Sequence, residues 1–209
     1  MIMLASVVPY GGNAVRYALE KAKAKVVKVN HMPEGIDPTA IWYMMKHHCQ
    51  LHQQDRTVGR KLERSMVQFV ISPSKEETAN FTMNDWENLQ DEALETLDAI
   101  GLIPNGMKKK VKTNFRNSMN VGGLHSDSKS GTLHLHMDCC RVDLDGNTND
   151  VHDIHKRAMK SHLAMTRKKQ LVGYTSHYVQ WFSWFFFTIG FFMFTTVIVV
   201  KVGEWLNWF

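Results

Sequence analysis

The sequence predicts an α+β domain, a mainly antiparallel sheet with helices packed against one face, followed by a C-terminal transmembrane helix. Three observations carry this prediction. Short runs of alternating apolar residues, such as Met66 to Ser72, read as half-buried strands. Longer runs with helical spacing separate them, Thr82 to Gly101 being the clearest. Trp181 to Val200 is a run of 20 residues without a charge.

The elements follow in order. Met1 to Val8 is apolar and reads as a first strand. Tyr10-Gly11-Gly12-Asn13 reads as a turn, with Asn13 capping a short helix from Ala14 to Lys25 that carries Tyr17. Val26 to Asn30 reads as a short strand. Asp37-Pro38 is a cap followed by proline in the first turn, so a helix is expected from Thr39 to about Gln53. In Met66 to Ser72, Val67, Phe69 and Ile71 share one side, and Pro73 ends the strand. Thr82 and Asp85 resemble a capping box for the next helix. Its apolar stripe is Trp86, Leu89, Ala93, Leu97 and Ile100, and Gly101 is expected to end it. A basic stretch, Met107 to Asn120, leads into a strand ending at His125. Leu133 to Val142 is the last strand, Asp145-Gly146-Asn147 a turn, and Asn149 or Asp150 the expected cap of a helix reaching about Met165.

The domains expected are residues 1–165 as the globular unit, 166–180 as a basic and polar linker, 181–202 as the transmembrane helix and 203–209 as a short tail. The uncharged run suffices to cross a hydrocarbon core of roughly 30 Å. Trp181 and Trp184 lie at one end and Trp205 and Trp208 beyond the other, as in an aromatic belt. Arg167, Lys168 and Lys169 precede the run and favour a cytoplasmic N-terminal side.

The net charge is +5, and Lys201 and Glu204 cancel, so the whole excess precedes Trp181. A basic globule is compatible with nucleic acid as partner. The three cysteines, Cys49, Cys139 and Cys140, form no disulfide framework and suit a reducing compartment.

The most informative chemistry is a histidine cluster. Residues i and i+2 of a strand share a face, so His134 and His136 project together. The stretch between His125 and His134 has turn composition. A loop over Ser128 to Gly131 pairs Asp127 with Thr132 and sets His125 opposite His134. All three imidazoles then converge, a suitable ligand set for a divalent metal with positions open to a substrate oxygen. Asp127 and Asp138 are nearby carboxylates that could orient a ligand. His47, His48 and His52 on a predicted helix read as a solvated face. Lys108, Lys109, Lys110 and Arg116 could track a phosphate backbone. On parity, Cys140 falls on the histidine face and Cys139 on the other.

The run His125 to Asn147, HSDSKSGTLHLHMDCCRVDLDGN, resembles the third motif of plasmid mobilisation relaxases of the HUH endonuclease superfamily, and the downstream Asn149-Asp150 with its helix resembles the versions found in Bacteroidetes mobile elements. In those proteins a histidine precedes a tight His-x-His, and an Arg-Val-Asp and an Asp-Gly turn follow, here Arg141-Val142-Asp143 and Asp145-Gly146. The similarity covers about Met1 to Met165. Departures are Cys140 where an asparagine often stands, and Gly122-Gly123 where a firm strand is expected.

The resemblance implies an HUH-type sheet and a specific chemistry. A tyrosine, best matched by Tyr17 with Tyr10 as rival, attacks a DNA phosphodiester. It leaves a 5′-phosphotyrosyl link and a free 3′-hydroxyl. A phenol of pKa about 10 is a weak nucleophile, so metal coordination of the phosphate must assist. The metal is implied to be Mg²⁺ or Mn²⁺, held by His125, His134 and His136, and Ser72 is implied to help position DNA. The implied partners are single-stranded origin-of-transfer DNA and accessory mobilisation proteins, in a bacterial cytoplasm with the C-terminal helix in the inner membrane. Two rival readings stand beside it: a replication-initiator nuclease of the same superfamily, and a non-catalytic, truncated DNA-binding remnant tethered to the membrane.

Overall fold

A computed structural model describes residues 1–8, 11–20, 24–54, 62, 64–103, 108–126 and 131–169. Its centre is one sheet of five antiparallel strands, β1 (Ile2–Val8), β2 (Lys25–Asn30), β3 (Met66–Ser72), β4 (Ser118–His125) and β5 (His134–Asp143), in the order β1-β3-β5-β4-β2. Four helices intervene: α1 (Gly11–Glu20), α2 (Pro38–Gln54), α3 (Lys75–Thr78) and α4 (Met83–Ala99). A fifth, α5, runs over residues 154–169. The chain divides into compact units Met1–Met165 and Thr166–Phe209. The sheet lies wholly in the first unit. Of the second, residues 166–169 are described and are helical.

Helices cover both faces of the sheet, not one. On one face Trp86, Leu89, Ala93, Leu94 and Leu97 of α4, with Ile154 and Ala158 of α5, pack on Phe69, Leu135, Met137 and Cys139. On the other, Val15 and Ala18 of α1 and Ile41, Met45 and Cys49 of α2 pack on Met66, Val121, Cys140 and Val142. The sequence conceals this second layer, because β5 carries histidines and an aspartate on the α1 side. Polar residues at alternate positions imitate a solvated face, yet nine of the ten residues of β5 are buried. The α1–α2 layer stops short of the β1 edge, where Ile2 and Leu4 on that face are 59% and 64% exposed.

Several boundaries differ from expectation. Helix α1 starts at Gly11 rather than beyond an Asn13 cap. Lys25, expected in that helix, opens β2 and pairs with Leu124. Short α3 was not anticipated, although Ser74 and Glu77 form a capping box legible as Ser-Lys-Glu-Glu. The capping box of Thr82 and Asp85 is present. Helix α4 stops at Ala99 with Ile100 extended, without a glycine cap. Carbonyls at its end are met from outside: the Arg157 guanidinium of α5, 1% exposed, donates to Leu97 O and Ile100 O, and also to Val111 O beyond the helix. Asn149 does not cap α5. Its side chain accepts from Asn114 N and donates to Ser118 Oγ, and α5 begins at residue 154 after Asp153 in the left-handed region.

Gly122 and Gly123 have a packing reason. A Cβ on Gly123 would sit 2.0 Å from the Ala18 carbonyl oxygen of α1, and one on Gly122 would sit 2.0 Å from Gln90 Oε1 of α4. The paired glycines let a helix approach each face of β4 closely.

Among the described residues no helix is long and apolar enough to cross a membrane. The expected span, residues 181–202, lies outside them, as do residues 170–180 and 203–209 of the expected linker and tail.

The Gly123 contact is testable. Gly123→Ala forces backbone apart rather than a flexible side chain, so it is expected to destabilise the fold by about 1–3 kcal/mol in urea denaturation.

Candidate metal centre

The β4–β5 ladder builds the centre. His125 pairs with His134, and Gly123 with His136, in the expected register. Parity then puts His125, His134 and His136 on the α1 side of the sheet. The His125 and His136 rings stack at 4.2 Å and 16°, and His134 lies 4.6 and 5.0 Å from them. One ligand atom from each lies within 4.8 Å of the others. An ion about 2.1 Å from each nitrogen needs separations up to ~4.2 Å, within reach of small side-chain rotations. His134 Nδ1 donates to Thr132 O at 3.1 Å, which fixes its tautomer and directs Nε2 to the ligand role. Three buried imidazoles converging on one point fit a divalent metal ion.

Tyr17 stands over this cluster. Its ring centroid lies 5.1 Å from that of His125 and 5.4 Å from that of His136, in edge-on contacts. Tyr17 is 41% exposed, so it touches the histidines while remaining open to solvent. Helix α1 brings it there because Ala18, the next residue, presses its carbonyl against Gly123. Tyr10 lies outside the described residues.

Ser72 is also brought close. Ile71 pairs with Leu135, so Ser72 is level with His134 on the neighbouring strand. Both line a groove of about 450 Å³ with Ile2, Pro73, Lys75 and Thr132. Asp138 shares the histidine face one step further along β5. It is fully buried, and Gln68 Nε2 donates to its Oδ1 at 3.3 Å. Burial pushes its carboxyl up to about 7. Asp127 lies outside the described residues.

The basic residues are not brought together with the cluster. Lys108, Lys109, Lys110 and Arg116 are exposed, and Arg116 precedes the start of β4 whereas His125 ends it. Strand β4 alone separates these ends by roughly 23 Å. His48 and His52 lie beside the 143–147 turn: His48 Nε2 contacts Asp143 O at 2.9 Å, and His52 packs on Gly146. Cys139 and Cys140 fall on opposite faces, as parity predicts.

Features invisible to the sequence reading complete the centre. Thr132 O orients His134, and Gln68 holds Asp138. Strand alternation in β3 was enough to place Gln68 on the Ser72 face, but its partner required the β3–β5 register.

Two outcomes follow. Removing a ligand by His136→Ala is expected to weaken Mn²⁺ or Co²⁺ binding in calorimetry at least about 10- to 100-fold, the range for losing even a supporting partner. Asp138 ionises near 3.8 when unfolded and about 7 when folded. Its contribution to stability is therefore full below the unfolded value and lost as pH rises through the folded one. In metal-free protein, Asp138→Asn is expected to remove up to about 1.4 kcal/mol per pH unit of that decline between these values, read by denaturation at successive pH.

No family model matches the chain and a search of the curated proteins finds no match, so the chemistry of this centre is argued from its own geometry.

Proposed function

We propose that this chain nicks single-stranded DNA at a specific site, as a metal-dependent transesterase of the mobilisation-relaxase type. The observation that supports it best is the meeting of Tyr17 with His125 and His136, three residues from three different elements. A phenol, a set of metal-ligating imidazoles and an adjoining groove are what tyrosine attack on a phosphodiester requires.

In this reading Tyr17 Oη bonds to phosphorus and loses its proton. The P–O3′ bond breaks, and the 3′-oxygen takes up a proton to leave as a hydroxyl. The DNA 5′-phosphate stays on the tyrosine as an ester. A divalent ion bound by His125, His134 and His136 supplies positive charge for a phosphate oxygen. Of Mg²⁺ and Mn²⁺, the second suits imidazole better, because magnesium favours oxygen ligands and keeps its waters. Ser72 lines the groove beside His134, and in this reading it donates to the DNA backbone. Accessory mobilisation proteins and an inner-membrane location through residues 181–202 belong to the same proposal.

The experiment uses the full chain with labelled, random-sequence single-stranded DNA and Mn²⁺. An SDS-stable protein–DNA adduct is expected, reduced to background in Tyr17→Phe and retained in Tyr10→Phe. Sequencing the adducted DNA gives the site cut. Metal binding without any adduct would sink the nicking proposal and leave a DNA-binding remnant.

A further inference from the structure

Helix α2 carries a surface that the proposed nicking reaction does not use. Trp42 and Tyr43 lie with ring centroids 4.5 Å apart, and Lys46 Nζ stands 5.0 Å over the Trp42 ring. Tyr43 is 57% exposed, and Trp42 is half-buried, rooted in the core by its packing. The next outward residues, His47 and Gln50, are polar and exposed.

Charge distinguishes this helix from its counterpart across the sheet. Helix α2 has no acidic residue in 17, whereas α4, of equal length, has six and no basic one. A polyanion is repelled by the surface of α4 itself and tolerated on that of α2. The direction of α2 is also informative. Cys140 Sγ donates to Met45 O, and His48 Nε2 meets Asp143 O, so α2 runs in the same direction as β5. Trp42 and Tyr43 precede Met45 and so lie toward the end of the sheet that holds His134 and His136.

We infer that Trp42, Tyr43 and Lys46 form a stacking platform for an unpaired base of single-stranded DNA, with Lys46 beside the neighbouring phosphate. An exposed aromatic ring accepts any base face, and the adjacent Lys46 and the lack of acidic residues within α2 itself, where Asp37 stands just before its start, suit the charge of the strand. This rests on the proposal that the substrate is single-stranded DNA.

The test measures binding of the full chain to a fluorescein-labelled oligothymidylate of about 12 nucleotides, by anisotropy in chelator so that no cleavage intervenes. Tyr43→Ala is expected to weaken binding about 5- to 150-fold, the range for losing one stacked base. Tyr43→Phe keeps the ring and is expected to bind within about twofold of wild type. A duplex of the same length, whose bases are already stacked, is expected to show no difference between wild type and Tyr43→Ala. Unchanged oligothymidylate affinity in Tyr43→Ala overturns the platform, as does an equal loss on the duplex. A change in particle mass with no change in DNA affinity also overturns it, and assigns the patch to contact between copies. The Tyr17-dependent adduct reads the nicking proposal separately. An adduct with unchanged Tyr43→Ala affinity removes only the platform, and Tyr43-dependent binding without an adduct removes only the nicking.

Discussion

The rest of the structure depends on the pairing of β4 with β5. This register sets His125 opposite His134, and the two-residue period of a strand adds His136 to the same face. A slip by one residue would turn His134 and His136 toward the α4 side, where Leu135 and Met137 now fill the core. Burial of those two residues and convergence of the histidines are therefore one constraint. The apolar half of β5 holds the register that its polar half uses.

Around that ladder the protein has arranged two close approaches. Gly122 and Gly123 remove side chains where α4 and α1 press on β4. The α1 approach carries Tyr17 onto the histidine rings, so a gap in the strand and a position in the candidate centre have the same cause. On the opposite face a buried cation does comparable work. Arg157 of α5 meets the carbonyls at the end of α4 and at Val111, which ties two helices and the backbone at Val111 together at a point where an unpaired helix end would be costly.

The two faces differ in character as well as in cover. On the first face α4 is acidic, whereas α5 beside it carries Lys156 and Lys160 and no acidic residue over 154–169. The other face is covered only in part, by an acid-free α2 and by α1, and stays open toward β1 beside the groove at His134 and Ser72. The basic segment around Lys108 to Lys110 stands at the other end of β4, so sequence proximity to β4 was a poor guide to its place.

What the sequence by itself determined is local and periodic. Met66 to Ser72 and Leu133 to Val142 were read as strands, and the observed bounds, Met66–Ser72 and His134–Asp143, agree with them to within one residue, while Thr82 with Asp85 marked the start of α4. Turn composition between His125 and His134 yielded their pairing, and with it the ligand set, because those residues are close in the chain. Only the tertiary structure decided the rest. The second helical layer was hidden because buried histidines and Asp138 look like a wet face. The end of α4 was hidden because its cap is an arginine from a distant helix. Tyr17 could be placed on a short helix, but its seat over the histidines depends on a glycine more than a hundred residues away. Periodicity records which way a side chain faces, whereas close packing between remote segments depends on shapes that no single stretch of sequence contains.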